Sequence, residues 1–230
     1  MAKILITGAN RGIGLEFASQ YLTRGDSVIA TCREPGKSAA LQALQAAHPT
    51  LQIRELDVSS DESLHRFATE LGDEAIDVFI NNAGVYGPRS AGFGQVSEQD
   101  WLPVLRVNTL APLILTQLLV DNFKGGQGRK LVFVTSKMGS IEDNTSGGSY
   151  IYRSSKTALN QVVRSLAADL ADDGLTAVVI HPGWVQTDMG GPNALIDTQT
   201  SVTGMVSVID GLDSKDSGKF YNYDGSVIPW

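Results

Sequence analysis

The sequence predicts an α/β fold, a doubly wound parallel sheet in a single domain spanning residues 1–230. Three observations predict it. Short apolar runs of strand length alternate with longer helical patterns along the chain. Those runs are continuously apolar, the pattern of parallel strands covered on both faces. A glycine-rich turn, Gly8 to Gly14, joins the first run to the first helical pattern.

The elements follow in order. Lys3–Thr7 reads as the first strand and 13–24 as its helix. Ser27–Cys32 precedes a helix near 37–47, and Gln52–Asp57 precedes one near 60–71, where Ser59 and Glu62 resemble a capping box. Asp77–Asn81 leads to a long helical pattern near 99–123, opened by a second such pair, Ser97 and Asp100. Lys130–Thr135 comes before a helix near 152–172, Thr176–His181 is the sixth strand, and Phe220–Tyr223 is a candidate edge strand. Right-handed crossovers turn this alternation into a doubly wound sheet. Two regions break it: Gly139–Ser149 is polar and glycine-rich, and Asp188–Thr203 is irregular with Pro192. Loops at the carboxyl ends of strands are where such folds hold ligands. Either one alone reads equally well as a solvated connection.

Bulk composition narrows the function classes. The 230 residues are 42% hydrophobic and 19% charged, ordinary for a soluble globular enzyme with a substantial core. A net charge of −7 argues against nucleic acid or an anionic membrane as partner. Cys32 is the only cysteine, so no internal disulfide or cysteine metal cage is expected, in keeping with a cytoplasmic location. His48, His65 and His181 show no ligand spacing, and no metal site is expected. With a strand read from Lys3, no signal peptide is expected, and the apolar stretch Leu113–Val120 is too short to span a bilayer.

The chemistry is concentrated at a few positions. Gly8, Asn10, Arg11, Gly12, Ile13 and Gly14 form a turn between strand and helix, where backbone N–H groups can approach a pyrophosphate. Its Gly-x-x-x-Gly-x-Gly spacing departs from the usual Gly-x-Gly-x-x-Gly. Arg33 ends the second strand, where a carboxylate would mark NAD; Cys32-Arg33 offers a cation instead, and Arg11 adds a second, so NADP is favoured. The neighbouring Glu34 is the competing ribose partner. Asn82, Ala83 and Gly84 follow the fourth strand, where they can leave room for a cofactor but alone read as a turn; Asp57-Val58 follows the third, where it either touches adenine or caps the next helix. Pro112 cannot donate to the carbonyl of Asn108, which alone suggests no more than a kink. Ser136 closes the fifth strand, where its hydroxyl can reach a substrate carbonyl. Tyr152 and Lys156 stand four apart, on one face of a helix, and the cation is expected to lower the phenol pKa. Tyr150 competes with Tyr152 but has Ser154 four residues on.

This ordered set, from Thr7 through Pro182-Gly183-Trp184-Val185-Gln186-Thr187, resembles the short-chain dehydrogenase/reductase family and its Rossmann-type fold. The resemblance implies a catalytic tetrad of Asn108, Ser136, Tyr152 and Lys156, and an NADP(H) site at Gly8, Asn10, Arg11, Gly12, Ile13, Gly14, Arg33, Asp57, Val58, Asn82, Ala83 and Gly84, shared with Tyr152 and Lys156. Val185 and Thr187 match its nicotinamide contacts. Met138-Gly139-Ser140-Ile141, Asn144-Thr145 and Gly147-Gly148-Ser149-Tyr150, with Phe220-Tyr221-Asn222-Tyr223-Asp224-Gly225 and Pro229-Trp230, are similar to the C-factor-like and sniffer-type carbonyl reductase branch. The sixteen residues from Ser136 to Tyr152 exceed the usual family spacing, so the extra residues are expected to loop out beside the substrate pocket. Tyr86, Met138, Trp184 and Met189 are expected to give that pocket an apolar wall. The implied activity interconverts a small carbonyl compound and an alcohol, in a homodimer or homotetramer built on the helices near 99–123 and 152–172. The alternative is an NADP-binding signalling or regulatory protein, C-factor-like, with little turnover.

Overall fold

Seven parallel strands form one sheet in the order β3-β2-β1-β4-β5-β6-β7, in a computed structural model that describes residues 1–89 and 92–230. The strands are β1 (Lys3–Ile6), β2 (Ser27–Cys32), β3 (Leu51–Glu55), β4 (Val78–Asn81), β5 (Lys130–Val134), β6 (Thr176–His181) and β7 (Phe220–Asn222). The helices are α1 (Gly12–Thr23), α2 (Ala39–Ala47), α3 (Asp61–Leu71), α4 (Glu98–Leu105), α5 (Ala111–Leu118), α6 (Val120–Gly125), α7 (Tyr150–Asp169) and α8 (Thr198–Gly211). Strand order reverses between β1 and β4, which leaves a crevice at their carboxyl ends.

The continuous apolar strands are explained by two cores, one on each face. Ile4, Ile6, Val28, Ala30, Val132 and Ile180 pack with Phe17 and Tyr21 of α1 and Met205 and Ile209 of α8. The intervening residues Leu5, Ile29, Phe79, Phe133 and Val179 pack with Phe67 of α3, Leu115 of α5 and Leu159 and Val163 of α7. Successive side chains thus enter opposite cores, each requiring an apolar residue.

Several expectations need correction. The third strand ends at Glu55, so Asp57 lies in the following turn. The cap of α3 is Ser60, whose hydroxyl accepts from the Ser63 N–H at 3.2 Å, while Ser59 is tied to Asp57. Ser97 does cap α4, accepting from the Asp100 N–H, but the Asp100 carboxylate takes the Ser97 hydroxyl rather than a backbone N–H. The helix expected at 99–123 is three helices with a π-helical stretch, Arg106–Leu110, between α4 and α5. The Ala111 N–H there reaches back five residues to the Arg106 carbonyl, just before Pro112, which has no N–H. The region expected to be irregular contains the start of α8, capped by Asp197, whose carboxylate accepts from the Thr200 N–H at 2.7 Å.

On α7, Leu159 and Val163 are fully buried, and Val162 packs partly against the same core, as does Leu170 just beyond the helix. Leu102 and Leu110 remain exposed. No helix among the described residues is long and apolar enough to cross a membrane.

Candidate active site

A cavity of about 460 Å³ occupies the crevice. The glycine-rich turn forms one end. Gly8 and Gly12 have φ of +65° and +54°, a region that strains other residues. Gly14 is required by space, since a Cβ there would stand 2.3 Å from the Gly8 carbonyl oxygen. Asn82 fastens the turn to β4: its Nδ2 donates to the carbonyls of Thr7 and Gly8, both at 3.0 Å. The Thr7 hydroxyl in turn accepts from the N–H groups of Asn82 and Ala83. Helix α1 starts at this turn with no side-chain cap and no acidic residue in its first turn, which leaves its N-terminal N–H groups for an anion.

Around this end lie Arg33, Asp57 and Val58. Arg33 is exposed and makes no ion pair among the described residues. Glu34 is bound to Lys37, which holds its carboxyl below the usual range, and Glu34 does not line the cavity. Arg11 is paired across the cavity mouth with Asp188. The Asp57 carboxylate accepts from the N–H and hydroxyl of Ser59, so its side chain closes the turn into α3.

The far end is built by α7. Tyr152 and Lys156 both line the cavity and are otherwise buried. Burial pushes the Tyr152 phenol up to about 12, with a hydrogen bond to Ser136 opposing and the Tyr86 phenol adding to the rise. Burial also pushes the Lys156 ammonium down to about 8. Its Nζ donates to the Val134 carbonyl at 2.9 Å. The expected lowering of the tyrosine by the lysine is therefore absent: desolvation dominates, and the ammonium is engaged at the end of β5. Ser136 sits beside these groups, its Oγ accepting from the Met138 N–H.

Asn108 is fully buried in the π-helical stretch. Its Oδ1 accepts from the Val85 N–H at 2.9 Å, and its Nδ2 donates to the Val85 carbonyl and the Ser155 hydroxyl. This side chain ties the loop after β4 to α7. The extra residues before Tyr152 do loop outward: residues 141–148 are exposed, and Gly147, Gly148 and Ser149 are all left-handed just before α7. Tyr150 is 39% exposed, whereas Tyr152 is 8% exposed, which separates the two competing tyrosines.

The structure thus gathers Gly8, Asn10, Arg11, Gly12, Ile13, Arg33, Asp57, Val58, Asn82, Ala83, Gly84, Tyr152, Lys156 and Thr187 around one cavity. Gly14, Val185, Asn108 and Ser136 are not among its lining residues. Val185 is buried and bridges Ile196, and the Thr187 hydroxyl accepts from the Gly190 N–H, so both shape the covering loop. Of the expected apolar wall, Met189 lines the cavity, whereas Tyr86, Met138 and Trp184 are not among its lining residues: Tyr86 stacks on Tyr152, and Trp184 is half exposed with its indole N–H donating to the Gly190 carbonyl. Sequence reasoning missed Asp188 and Arg89, which donates to the Met189 carbonyl; loop contacts of this kind leave no periodic signal. No group of three or more potential metal ligands exists among the described residues.

Comparison with known proteins places these features in context. The chain matches the family model described as short chain dehydrogenase over residues 2–195. It is 46% identical over 167 residues to C-signal of Myxococcus xanthus, covering 73% of this chain and all of that protein. It resembles the carbonyl reductase Sniffer of D. melanogaster with a TM-score of 0.94 and 35% identity, covering all of both chains. The NADPH-bound carbonyl reductase from chicken fatty liver gives a TM-score of 0.93 and 34% identity, covering all of this chain and 99% of that one.

Proposed function

The chain belongs to the short-chain dehydrogenase family, and on that premise we propose that it is an NADP(H)-dependent oxidoreductase interconverting a carbonyl compound and an alcohol. The observation that carries this reading is the continuity of the cavity. An uncapped helix start and Arg33, which has no ion-pair partner among the described residues, lie at one end, and Tyr152 with Lys156 at the other. Those features fit the dinucleotide: N–H groups for its pyrophosphate, Arg33 for a 2′-phosphate, and Lys156 for the nicotinamide ribose.

In the direction of reduction, the reduced nicotinamide, when bound, supplies a hydride to the carbonyl carbon. Tyr152 gives its phenolic proton to the carbonyl oxygen, which completes the alcohol. Its raised pKa keeps that proton in place through the neutral range. Ser136, next to the phenol at the end of β5, would hold the substrate oxygen beside it. Lys156, titrating near pH 8, is matched to returning a proton to the phenolate. The Asn108 amide is fully engaged, so its part falls to the main-chain carbonyl, which Pro112 cannot bond. Thr187, which lines the cavity, and the buried Val185 behind it in the covering loop would border the nicotinamide when it is bound. The test is NADPH oxidation against a panel of aldehydes, ketones and quinones; turnover confined to background would refute it.

A second reading is an NADP-binding signalling protein with little turnover, favoured by the 46% identity with C-signal. NADPH binding with no oxidation by any carbonyl would select it. We further propose a homodimer or homotetramer that buries Leu102 and Leu110. Light scattering at micromolar concentration showing only a 24.5 kDa species would refute that assembly.

A further inference from the structure

The chain from Phe220 to Trp230 contains aromatic residues and a turn that the proposed reaction does not use. After β7 the backbone reverses at Asp224-Gly225, where Gly225 has φ of +87° and the Asp224 carboxylate accepts from the N–H and hydroxyl of Ser226. It then runs antiparallel to β7: the Asn222 N–H donates to the Ser226 carbonyl at 2.7 Å, the Ile228 N–H to the Phe220 carbonyl at 2.8 Å, and Tyr221 bridges Val227. Ile228 is buried in the core, and the Trp230 indole packs on Phe220 with centroids 5.6 Å apart.

This return brings one oxygen to the active-site loop. The main-chain oxygen of Trp230 accepts from the Ile141 N–H at 3.1 Å, the Glu142 N–H at 3.0 Å and the Ser140 hydroxyl at 3.2 Å. These donors belong to the turn that leaves Ser136. At its centre Gly139 lies against α7 so closely that a Cβ would stand 2.9 Å from the Lys156 carbonyl carbon and 3.0 Å from its Cβ. The Gly139 N–H donates to the Ser136 carbonyl at 2.8 Å, and its own carbonyl accepts from Thr157 and Asn160 of α7. The exposed run 141–148 starts inside the anchored segment, at Ile141 and Glu142, and continues past it.

We propose that Trp230 is a positioning residue for carbonyl reduction, fixing the 139–142 turn that links Ser136 to the backbone of Lys156. Three donors converge on an oxygen whose own position is set by the indole on Phe220. Releasing it would free the turn to move relative to α7 while leaving untouched the glycine-rich turn after β1 and Arg33 after β2, which β4 separates from Ser136 at the end of β5. Substrate handling would suffer and cofactor binding would not. This inference rests on the proposed reductase activity.

The test compares Trp230→Ala and Trp230→Phe with the native chain in three measurements. Amide hydrogen exchange at Ile141 and Glu142 reads the anchor directly; it should rise at least ~10-fold in W230A and stay near native in W230F, because an aromatic ring can still pack on Phe220. Steady-state kinetics with a carbonyl substrate should show a raised KM and a lowered kcat in W230A, restored in W230F. Calorimetric NADPH affinity should stay within about twofold in both, the anchor lying outside the cofactor end of the cavity. Unchanged exchange or unchanged kinetics in W230A overturns the proposal, and so does an equal loss of NADPH affinity, which would mark general destabilisation. A native protein that turns over no carbonyl would instead overturn the reductase reading, and with it any catalytic part for Trp230, even if exchange still revealed the anchor.

Discussion

The rings of Tyr86 and Tyr152 stack with centroids 4.4 Å apart and an interplanar angle of 23°. The Tyr86 hydroxyl lies 3.1 Å from that of Ser149, the left-handed residue preceding α7, and the Arg89 guanidinium sits over the Tyr86 ring. Tyr86 therefore shields one face of the candidate proton donor from water and contributes to its raised pKa. Replacing Tyr86 with alanine should lower kcat by up to ~10-fold, the scale of one aromatic pair. It should also move the phenol back toward its ordinary value by admitting water. Tyr86→Phe keeps the stack and should stay near native. The pH dependence of kcat checks this: identical profiles for native and Y86A would leave the stack without a catalytic part.

Removal of the proton donor itself makes the sharpest loss. Tyr152→Phe should lower reduction by at least ~10²-fold, the lower bound for a positioned acid. NADPH affinity should change little, because the glycine-rich turn and Arg33 are distant from the phenol. Tyr150→Phe should leave turnover native, since that ring is 39% exposed and carries no cation one turn on. Full activity in Y152F together with loss in Y150F would exchange their roles.

Lys156 gives a prediction with a defined pH window. Its pKa falls from 10.5 to about 8 on burial. Below pH 8 it is charged in both folded and unfolded chains, so the folded state carries the whole burial penalty. That penalty is lost as pH rises from about 8 to 10.5, where the group is neutral in both states. Lys156→Met removes it and should stabilise the protein at pH 7 by at most about 3 kcal/mol, the free-energy equivalent of the shift. The gain should vanish by pH 10.5. Reduction should be lost throughout. Urea unfolding at pH 7 and pH 10 measures the difference; a less stable variant at pH 7 would show that the bond to Val134 outweighs desolvation.

What was legible in the sequence follows from what physical signal each feature leaves. Continuous apolar strands such as Val28–Ala30 and Leu131–Phe133 announced a sheet with two cores, and the glycine-rich turn announced its crevice. Tyr152 and Lys156 were legible because their relation is helical and local. Helix α8 was not, because Gly204, small polar residues and a preceding proline mask its apolar stripe Val202, Met205, Val206 and Ile209. The π-helical stretch was legible only as a proline, since its altered register appears in the backbone bonds. The contacts of Arg11 with Asp188, of Arg89 with Met189 and of Trp230 with the 140–142 turn depend on loops meeting in space. Spacing along a chain carries no record of those encounters. The direction of the Tyr152 shift was misread for a related reason: the neighbouring cation is visible in sequence, whereas desolvation is a property of the folded site.

Cofactor choice depends on Arg33 more than the two-arginine reading suggests. Arg11 is already paired with Asp188, so a 2′-phosphate would have to displace a carboxylate to use it. Glu34, the competing ribose partner, is held by Lys37 away from the cavity. At the adenosine end of the cavity Arg33 remains as the cation without an ion-pair partner among the described residues, Lys156 lying at the other end. One charge-assisted hydrogen bond is worth ~1.5–3 kcal/mol, less where water screens it, so Arg33→Ala should weaken NADPH by ~10-fold or somewhat more. NADH should bind the variant as it binds the native chain, since the lost partner meets only the 2′-phosphate. Asp188→Asn frees Arg11 and should strengthen NADPH binding by a few-fold, an exposed pair contributing under ~1 kcal/mol. Dissociation constants for both cofactors across native, R33A and D188N decide the matter. Equal weakening of NADPH and NADH in R33A, or a native preference for NADH, would transfer ribose recognition from Arg33 to Glu34.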